Sequence, residues 1–269
     1  MITDWDDAYA NGAYIPDADS FVAHWQGAST EFRAHMLAAG RAEIGVSYGP
    51  HPREALDIYH PEGPPKGLMI FVHGGYWRAF DRHVWAHLAA GAVARGWAVA
   101  IPGYVLCPEV RIGDITRQIA AAVDLAATKI PGPVHLCGHS AGGHLVARMG
   151  CLDVDLACAT RIKRITPISG LFDLRPLLRT EMNADFGMDM TSAMAESPAL
   201  LTPREGFDLT CWVGAKERPE FLRQNALLAN IWSGFLIETT VIEAKNHNHF
   251  TVISDLCDPQ SPLTHAVIG

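Results

Sequence analysis

Short, uninterrupted apolar runs alternate with longer segments of helical spacing through most of this 269-residue chain. An example is Leu68-Met-Ile-Phe-Val72, in which every side chain is apolar. A strand without a polar face is buried on both sides, which is typical of parallel strands covered by helices. The alternation therefore predicts an α/β fold in one domain, residues 1–269, with a mostly parallel central sheet and helices on both faces.

The bounds of the elements follow from where the apolar or helical spacing begins and where Gly and Pro interrupt it. We predict strands over residues 42–48, 55–60, 67–72, 97–101, 134–137, 165–168, 209–213 and 236–242. We predict helices over residues 83–94, 112–130, 141–150, 219–232 and 250–256.

Two segments do not fit the alternation. Residues 1–40 are polar and aromatic, and we expect them to form an N-terminal helical extension that packs on the main body. Residues 173–203, approximately, are rich in methionine. We expect this second segment to form a small, irregular helical lid over one end of the sheet.

Charge and composition narrow the function classes before any motif is considered. The chain has 29 acidic residues and 21 Lys or Arg residues, a net charge of −8. An acidic chain without basic clusters is a poor candidate for binding nucleic acid or an anionic membrane, so we expect a small-molecule substrate. The six cysteines are scattered and include no C-x-x-C pair, which favours reduced, buried thiols. The sequence predicts no particular oligomeric state.

The N-terminus and the apolar runs bear on localisation. The first residues, Met-Ile-Thr-Asp-Trp-Asp-Asp, have neither the basic nor the apolar region of a secretory signal. No stretch of about 18 uninterrupted apolar residues is present, so we predict no transmembrane helix. We therefore expect a cytoplasmic protein.

A G-x-S-x-G motif, Gly138-His-Ser140-Ala-Gly142, follows the predicted strand 134–137 and opens the predicted helix 141–150. In this context the serine sits on a tight, strained turn that projects its hydroxyl from the sheet. Small neighbours are needed because the strand and the helix approach closely there. The motif predicts Ser140 as a catalytic nucleophile.

A glycine pair, Gly74-Gly75, directly follows the apolar strand 67–72. Glycines at this place let the backbone turn so that its N–H groups can stabilise an oxyanion. We predict one donor from this loop, Gly75 or Tyr76, and the other from the N–H of Ala141. Gly74 is expected to shape the turn.

A histidine on a loop near the C-terminus can act as the base for the serine. Two candidates, His247 and His249, lie in Asn-His-Asn-His-Phe after the last predicted strand. We favour His249, because it precedes the phenylalanine with which the last predicted helix begins. The pair could also hold zinc, but no carboxylate or cysteine stands beside it with ligand spacing, and we predict no metal site.

The acid that orients this histidine should follow the predicted strand 209–213. Glu217 is the leading candidate on that loop, and Glu220 and Asp173 are its rivals. Its role would be to orient the histidine and to stabilise the imidazolium, without taking the proton.

Aromatic residues near the motif ends of the strands could wall a substrate pocket. The candidates are Tyr76, Trp77 and Tyr104, and ordinary packing is an equal alternative for each. In the methionine-rich segment, Phe172, Phe186 and the methionines could form the lid or a satellite core.

Together these residues identify the chain as resembling the α/β-hydrolase superfamily, and within it the kynurenine formamidase (arylformamidase) group. The resemblance covers nearly the whole chain. It rests on His73-Gly-Gly-Tyr-Trp77, Gly138-His-Ser-Ala-Gly-Gly143, Ser169-Gly-Leu-Phe-Asp-Leu-Arg-Pro-Leu177, Arg218-Pro-Glu-Phe-Leu-Arg-Gln224, His249-Phe250 and an N-terminal Asp-x-x-Tyr-x-Asn-Gly run.

The resemblance implies an α/β-hydrolase fold, with Ser140 as nucleophile, His249 as base and oxyanion donors around residues 74–76 and at Ala141. The family usually has Asp where this chain has Glu217, which is one methylene longer. No metal or organic cofactor is implied.

The implied reaction is acyl transfer to water through a covalent acyl-enzyme. An aryl formamide such as N-formylkynurenine is the first candidate substrate. Another small amide, ester or thioester is the second, and a catalytically silent binding protein of the same fold is a remote third.

Overall fold

The computed structural model describes residues 2–269, and one eight-stranded sheet organises them. The strands are β1 (Ala42–Ser47), β2 (Ala55–Tyr59), β3 (Leu68–Val72), β4 (Ala98–Pro102), β5 (Val134–His139), β6 (Ile162–Ile168), β7 (Asp208–Gly214) and β8 (Glu238–Ala244). Their order across the sheet is β1-β2-β4-β3-β5-β6-β7-β8. Only β2 pairs antiparallel with its neighbours, β1 and β4, and every other pair is parallel.

The helices are α1 (Trp5–Tyr9), α2 (Ala18–Ala38), α3 (Ala90–Ala94), α4 (Ile112–Lys129), α5 (Ala141–Met149), α6 (Asn183–Phe186), α7 (Met190–Ala195), α8 (Pro219–Trp232) and α9 (Pro262–Ile268). They cover both faces of the sheet, and β3 shows the division. Leu68, Ile70 and Val72 join the core formed with α4, α5 and α8. Met69 and Phe71 join the core formed with α2, α3 and α9. This alternation is the two-residue period of a strand buried on both sides.

The predicted α/β-hydrolase fold with a mostly parallel sheet is confirmed. Two predicted helices are wrong. Residues 82–89 form 3-10 turns, and only Ala90–Ala94 is α-helical. Residues 250–253 form turns, and the 3-10 turn Ser254–Cys257 follows them. The last helix, α9, begins later, where Ser261 accepts a hydrogen bond from the N–H of Thr264. Pro262 favours this start, because a proline is tolerated in the first turn of a helix.

The N-terminal segment is helical and packs on the body of the protein. It contains α1, a 3-10 turn at Gly12–Tyr14 and α2. The Tyr9 hydroxyl donates a 2.7 Å hydrogen bond to Glu220 Oε1 at the start of α8. The carboxylate of Asp7 pairs with Arg218, whose guanidinium also lies over the ring of Tyr14.

The methionine-rich segment contains a 3-10 turn at Arg175–Arg179, α6, α7 and a 3-10 turn at Pro198–Leu200. Phe172 and Phe186 are fully buried and belong to the main core rather than to a satellite core. The function of the segment as a lid stays a prediction. No helix among residues 2–269 is both long enough and apolar enough to cross a bilayer.

We expect Gly142→Ala to destabilise the protein, because a Cβ at Gly142 would lie 2.0 Å from the carbonyl oxygen of Val72. The free energy of unfolding should fall by about 1–3 kcal/mol, the usual cost of overpacking. Urea denaturation measures it. Gly27→Ala in α2 is the matched control, since its Cβ meets nothing within 4 Å. That control should be neutral or stabilising, and equal losses in the two variants would contradict the prediction.

Stability should also depend on pH through buried histidines. Burial lowers the pKa of His135 from 6.5 to about 4, against the opposing effect of its hydrogen bond with the carbonyl oxygen of Val267. Burial likewise lowers the pKa of His73 to about 4. In the unfolded chain these imidazoles bind protons near their ordinary pKa of about 6.5. The unfolded state therefore holds more protons between pH 6.5 and about 4, and the free energy of unfolding falls as the pH falls through this window.

Denaturant titrations across that range measure the dependence. We expect a shallower fall with pH in His135→Gln, and an unchanged fall in His35→Gln, whose parent side chain is exposed on α2. An unchanged slope in His135→Gln would show that His135 does not contribute.

Candidate active site

Ser140 occupies a sharp turn between β5 and α5. Its φ of 56° and ψ of −118° are strained for a residue with a side chain. A Cβ at Gly138 would lie 2.3 Å from the carbonyl oxygen of Gly142, so the strand and the helix meet backbone against backbone. The Ser140 N–H donates to the carbonyl oxygen of Ile168, which holds the turn against β6. This is the local structure that the G-x-S-x-G motif predicts.

His249 and Glu217 are brought together from two different loops. The Nδ1 atom of His249 lies 2.6 Å from Glu217 Oε2, and both side chains are buried. The other carboxylate oxygen, Oε1, accepts hydrogen bonds from the Ser169 hydroxyl at 2.5 Å and from the Gly214 N–H at 2.8 Å. Both oxygens of Glu217 are therefore engaged, and the longer side chain reaches the imidazole.

Two aromatic rings pack against the imidazole of His249. Phe221 meets it edge-on with ring centroids 4.7 Å apart, and the His139 ring lies 4.6 Å away. His139 Nε2 lies 2.9 Å from the carbonyl oxygen of His249. Burial, together with the neighbouring His249, holds the pKa of His139 well below its ordinary value. A neutral His139 therefore positions the loop without adding charge beside His249.

The rival candidates are engaged elsewhere. Glu220 accepts hydrogen bonds from Tyr9 and Arg223. Asp173 pairs with Arg175 at 2.8 Å. His247 is half-buried, and its ring contacts the carbonyl oxygen of Thr251.

The loop after β3 approaches Ser140 closely. A Cβ at Gly74 would lie 2.9 Å from Ser140 Cβ, so any larger residue would crowd the serine. Gly75 and Tyr76 both have positive φ, 107° and 48°. Within residues 2–269, the N–H groups of Gly75, Tyr76 and Ala141 donate no hydrogen bond to the protein. These amides are thus available to a bound ligand.

A cavity of about 420 Å³ opens beside Ser140 and His249. The residues along it are Asp6, Tyr9, Ala10, Asn11, Gly12, Trp25, Gly74, Gly75, Tyr76, Arg78, Ala79, Phe80, Trp85, His139, Ser140, Met182, His249 and Phe250. Its walls are predominantly aromatic and apolar, and its few polar groups include Ser140 and His249. Such a composition is typical of a small-molecule site.

Two predicted pocket residues, Trp77 and Tyr104, do not line this cavity, and that prediction is wrong. Trp77 is fully buried and packs edge-on against His144 and Phe186. Tyr104 is stacked on His73 at 4.4 Å and donates a 2.9 Å hydrogen bond to the carbonyl oxygen of His73. Both side chains are therefore packed in the interior next to the loop after β3, outside the cavity lining. Tyr76 does line the cavity.

Sequence reasoning missed the part of the wall that comes from far along the chain. Asp6, residues 9–12 and Trp25 line the cavity. The Tyr76 hydroxyl donates a 2.7 Å hydrogen bond to the carbonyl oxygen of Tyr9. Ser169, the partner of Glu217, was also missed as a site residue. The N-terminal Asp-x-x-Tyr-x-Asn-Gly run was the available signal for the first of these. Within residues 2–269, no three His, Cys, Asp or Glu side chains are grouped as metal ligands.

Comparisons with known proteins agree with this architecture. A family model described as the alpha/beta hydrolase family matches residues 69–254. A kynurenine formamidase from Salmo salar is 30% identical over 249 residues, which cover 88% of this chain and 83% of the relative. A kynurenine formamidase from Danio rerio is 28% identical over 237 residues, 84% of this chain and 80% of the relative.

A solved structure extends the likeness to the full length. The protein from Silicibacter sp. TM1040, provisionally described as a thioesterase, is 48% identical. The two structures have a TM-score of 0.95, and the match covers 99% of each chain. The chain therefore belongs to the alpha/beta hydrolase family, within the group that resembles kynurenine formamidases, and is a hydrolase.

Proposed function

We propose that the protein is a serine hydrolase that cleaves an aryl formamide such as N-formylkynurenine to kynurenine and formate. The observation that carries the proposal is the buried 2.6 Å contact of Glu217 with His249, which lines the same cavity as Ser140. A carboxylate at Nδ1 leaves Nε2 as the atom that can accept a proton.

In the first half-reaction, the Ser140 Oγ attacks the formyl carbon while His249 Nε2 takes the hydroxyl proton. The carbonyl oxygen becomes an oxyanion, which the N–H groups of Gly75 or Tyr76 and of Ala141 stabilise. Gly74 keeps the loop close to the serine. The position of Ala141 at the start of α5 adds the favourable field of a helix N-terminus.

The intermediate then collapses. The C–N bond breaks, and His249 donates its proton to the leaving aryl nitrogen, which leaves a formyl ester on Ser140. A water molecule, deprotonated by the same imidazole, attacks this ester. The bond between the formyl carbon and Ser140 Oγ breaks, His249 returns the proton to Oγ, and formate leaves. Glu217 orients the imidazole and stabilises the imidazolium in both halves, without taking the proton.

The choice of substrate is supported by the two fish relatives that are named kynurenine formamidases. The aromatic wall formed by residues such as Trp25, Tyr76 and Phe250 suits an arene. We also propose that the protein acts in the cytoplasm.

A second candidate function is hydrolysis of another small ester, thioester or amide. The 48%-identical protein, provisionally described as a thioesterase, favours it. The chemistry at Ser140 would be the same, and the leaving group would be an alcohol, a thiol or another amine.

Purified protein should hydrolyse N-formylkynurenine, and Ser140→Ala should lower kcat by about 10³-fold or more, because the covalent route is lost. Absorbance measures kynurenine formation. Phenyl acetate and a short acyl thioester, assayed in parallel, compare the second candidate. Turnover of N-formylkynurenine that survives in Ser140→Ala would contradict the mechanism. No turnover of it, with Ser140-dependent cleavage of the esters, would reject the formamidase and keep the hydrolase.

Glu217→Gln should lower kcat by about 10²- to 10⁴-fold with little change in KM, because the side chain keeps its size but can no longer stabilise the imidazolium. Steady-state kinetics on the best substrate of the wild type provide the measurement. Glu220→Gln, three residues further on in the first turn of α8, is the matched control. If Glu220→Gln loses more activity than Glu217→Gln, the acid is wrongly assigned.

A further inference from the structure

Asn11 stands out among the residues along the cavity. It lies between α1 and the 3-10 turn Gly12–Tyr14, in the N-terminal segment. Its backbone is fully engaged, because its N–H donates to the carbonyl oxygen of Tyr9 and its own carbonyl oxygen accepts from the N–H of Tyr14. The backbone of Asn11 therefore needs no help from its side chain.

The side-chain amide of Asn11, in contrast, has a nitrogen without a hydrogen-bond partner within residues 2–269. The residue is only 7% exposed, yet its Nδ2 atom has no hydrogen-bond partner within residues 2–269. Leaving a buried donor without an acceptor costs free energy, and folded proteins rarely do so. A buried donor in the wall of a ligand cavity is satisfied when the ligand supplies the acceptor.

A second donor along the same cavity shares this condition. Trp85 is 2% exposed, and its Nε1 atom is also buried without a partner within the described part of the chain. The rings around Trp85 are Trp25, at a centroid distance of 4.9 Å, and Phe80, at 5.5 Å, and neither offers an acceptor. The cavity thus suits an aromatic ligand that carries acceptor oxygens.

The charged groups along the cavity are already paired. Arg78 Nη1 lies 2.7 Å from Asp185 Oδ2. Asp6 Oδ1 accepts a hydrogen bond from the Glu181 N–H. A neutral acceptor is therefore a better match for the Asn11 amide than an additional charge would be.

We propose that Asn11 is a specificity-determining residue, whose amide donates to a carbonyl oxygen on the aromatic ring of the substrate, away from the bond that is cleaved. The substrate class is an aryl amide or ester with a carbonyl substituent on its ring. The inference rests on the proposed function in that this cavity holds the substrate of Ser140.

The test uses pairs of substrates that differ only in this carbonyl. One pair is 2-acetylformanilide and formanilide, and the other is 2-acetylphenyl acetate and phenyl acetate. For each pair we compare the ratio of kcat/KM with and without the ring carbonyl. Asn11→Leu should lower this ratio by about 3- to 10-fold, the value of one hydrogen bond, through KM more than through kcat.

Two further variants separate binding from structural effects. Asn11→Asp keeps the size of the side chain and loses the donor, so it should lower the ratio at least as much. Tyr14→Phe alters the same segment at an exposed residue outside the cavity, and should leave the ratio unchanged. Thermal denaturation checks that each variant is folded.

The ester pair keeps this test independent of the formamide. If neither formanilide is hydrolysed, the formamidase proposal fails, and the two acetates still report on Asn11. An unchanged ratio in Asn11→Leu, an equal loss on both members of a pair, or an Asn11→Asp variant that keeps the wild-type ratio would overturn the inference.

Discussion

The site depends on how closely three pieces of backbone approach one another beneath Ser140. The strands β3 and β5 lie side by side, and the start of α5 is pressed against the end of β3. Gly138 and Gly142 permit this approach, because a Cβ at either position would overlap a carbonyl group. The strained dihedrals of Ser140 persist because the surrounding backbone is fixed by the sheet. The positions of the loop after β3 and of the Ala141 N–H both follow from this contact.

The second constraint is the buried carboxylate. Two hydrogen bonds to one oxygen of Glu217 leave the other oxygen for His249. Burial raises the strength of each of these interactions, since there is little water to compete. Ser169, itself at a positive φ of 52°, brings β6 into this network. Glu217, His249 and the turn that carries Ser140 therefore all lie at the carboxyl ends of neighbouring parallel strands.

The sequence predicted those parts of the protein whose signal is local. Apolar runs such as residues 68–72 identify buried strands, and the turn chemistry around Ser140 and Gly74 depends on adjacent residues. The last helix is shifted along the chain from its predicted place. The apolar residues among positions 250–256 pack as turns, and the start signal is Ser261-Pro262. The prediction for Trp77 and Tyr104 was wrong, because the sequence does not show whether an aromatic side chain near a loop faces the cavity or the core. The N-terminal part of the wall depends on contacts such as that of Tyr9 with Glu220, 211 positions apart. The N-terminal sequence run marks this segment, but no local pattern says which part of the chain it packs against.

The cavity wall has a consequence for how the protein is made. Its residues run from Asp6 to Phe250, so the earliest and nearly the latest parts of the chain must meet before the cavity exists. A nascent chain that ends after β7 contains the turn with Ser140 but does not yet contain His249. Contacts between residues this distant in sequence require a long loop to close, which costs chain entropy. A partly synthesised chain therefore cannot complete this cavity, because His249 and Phe250 lie near the end of the chain.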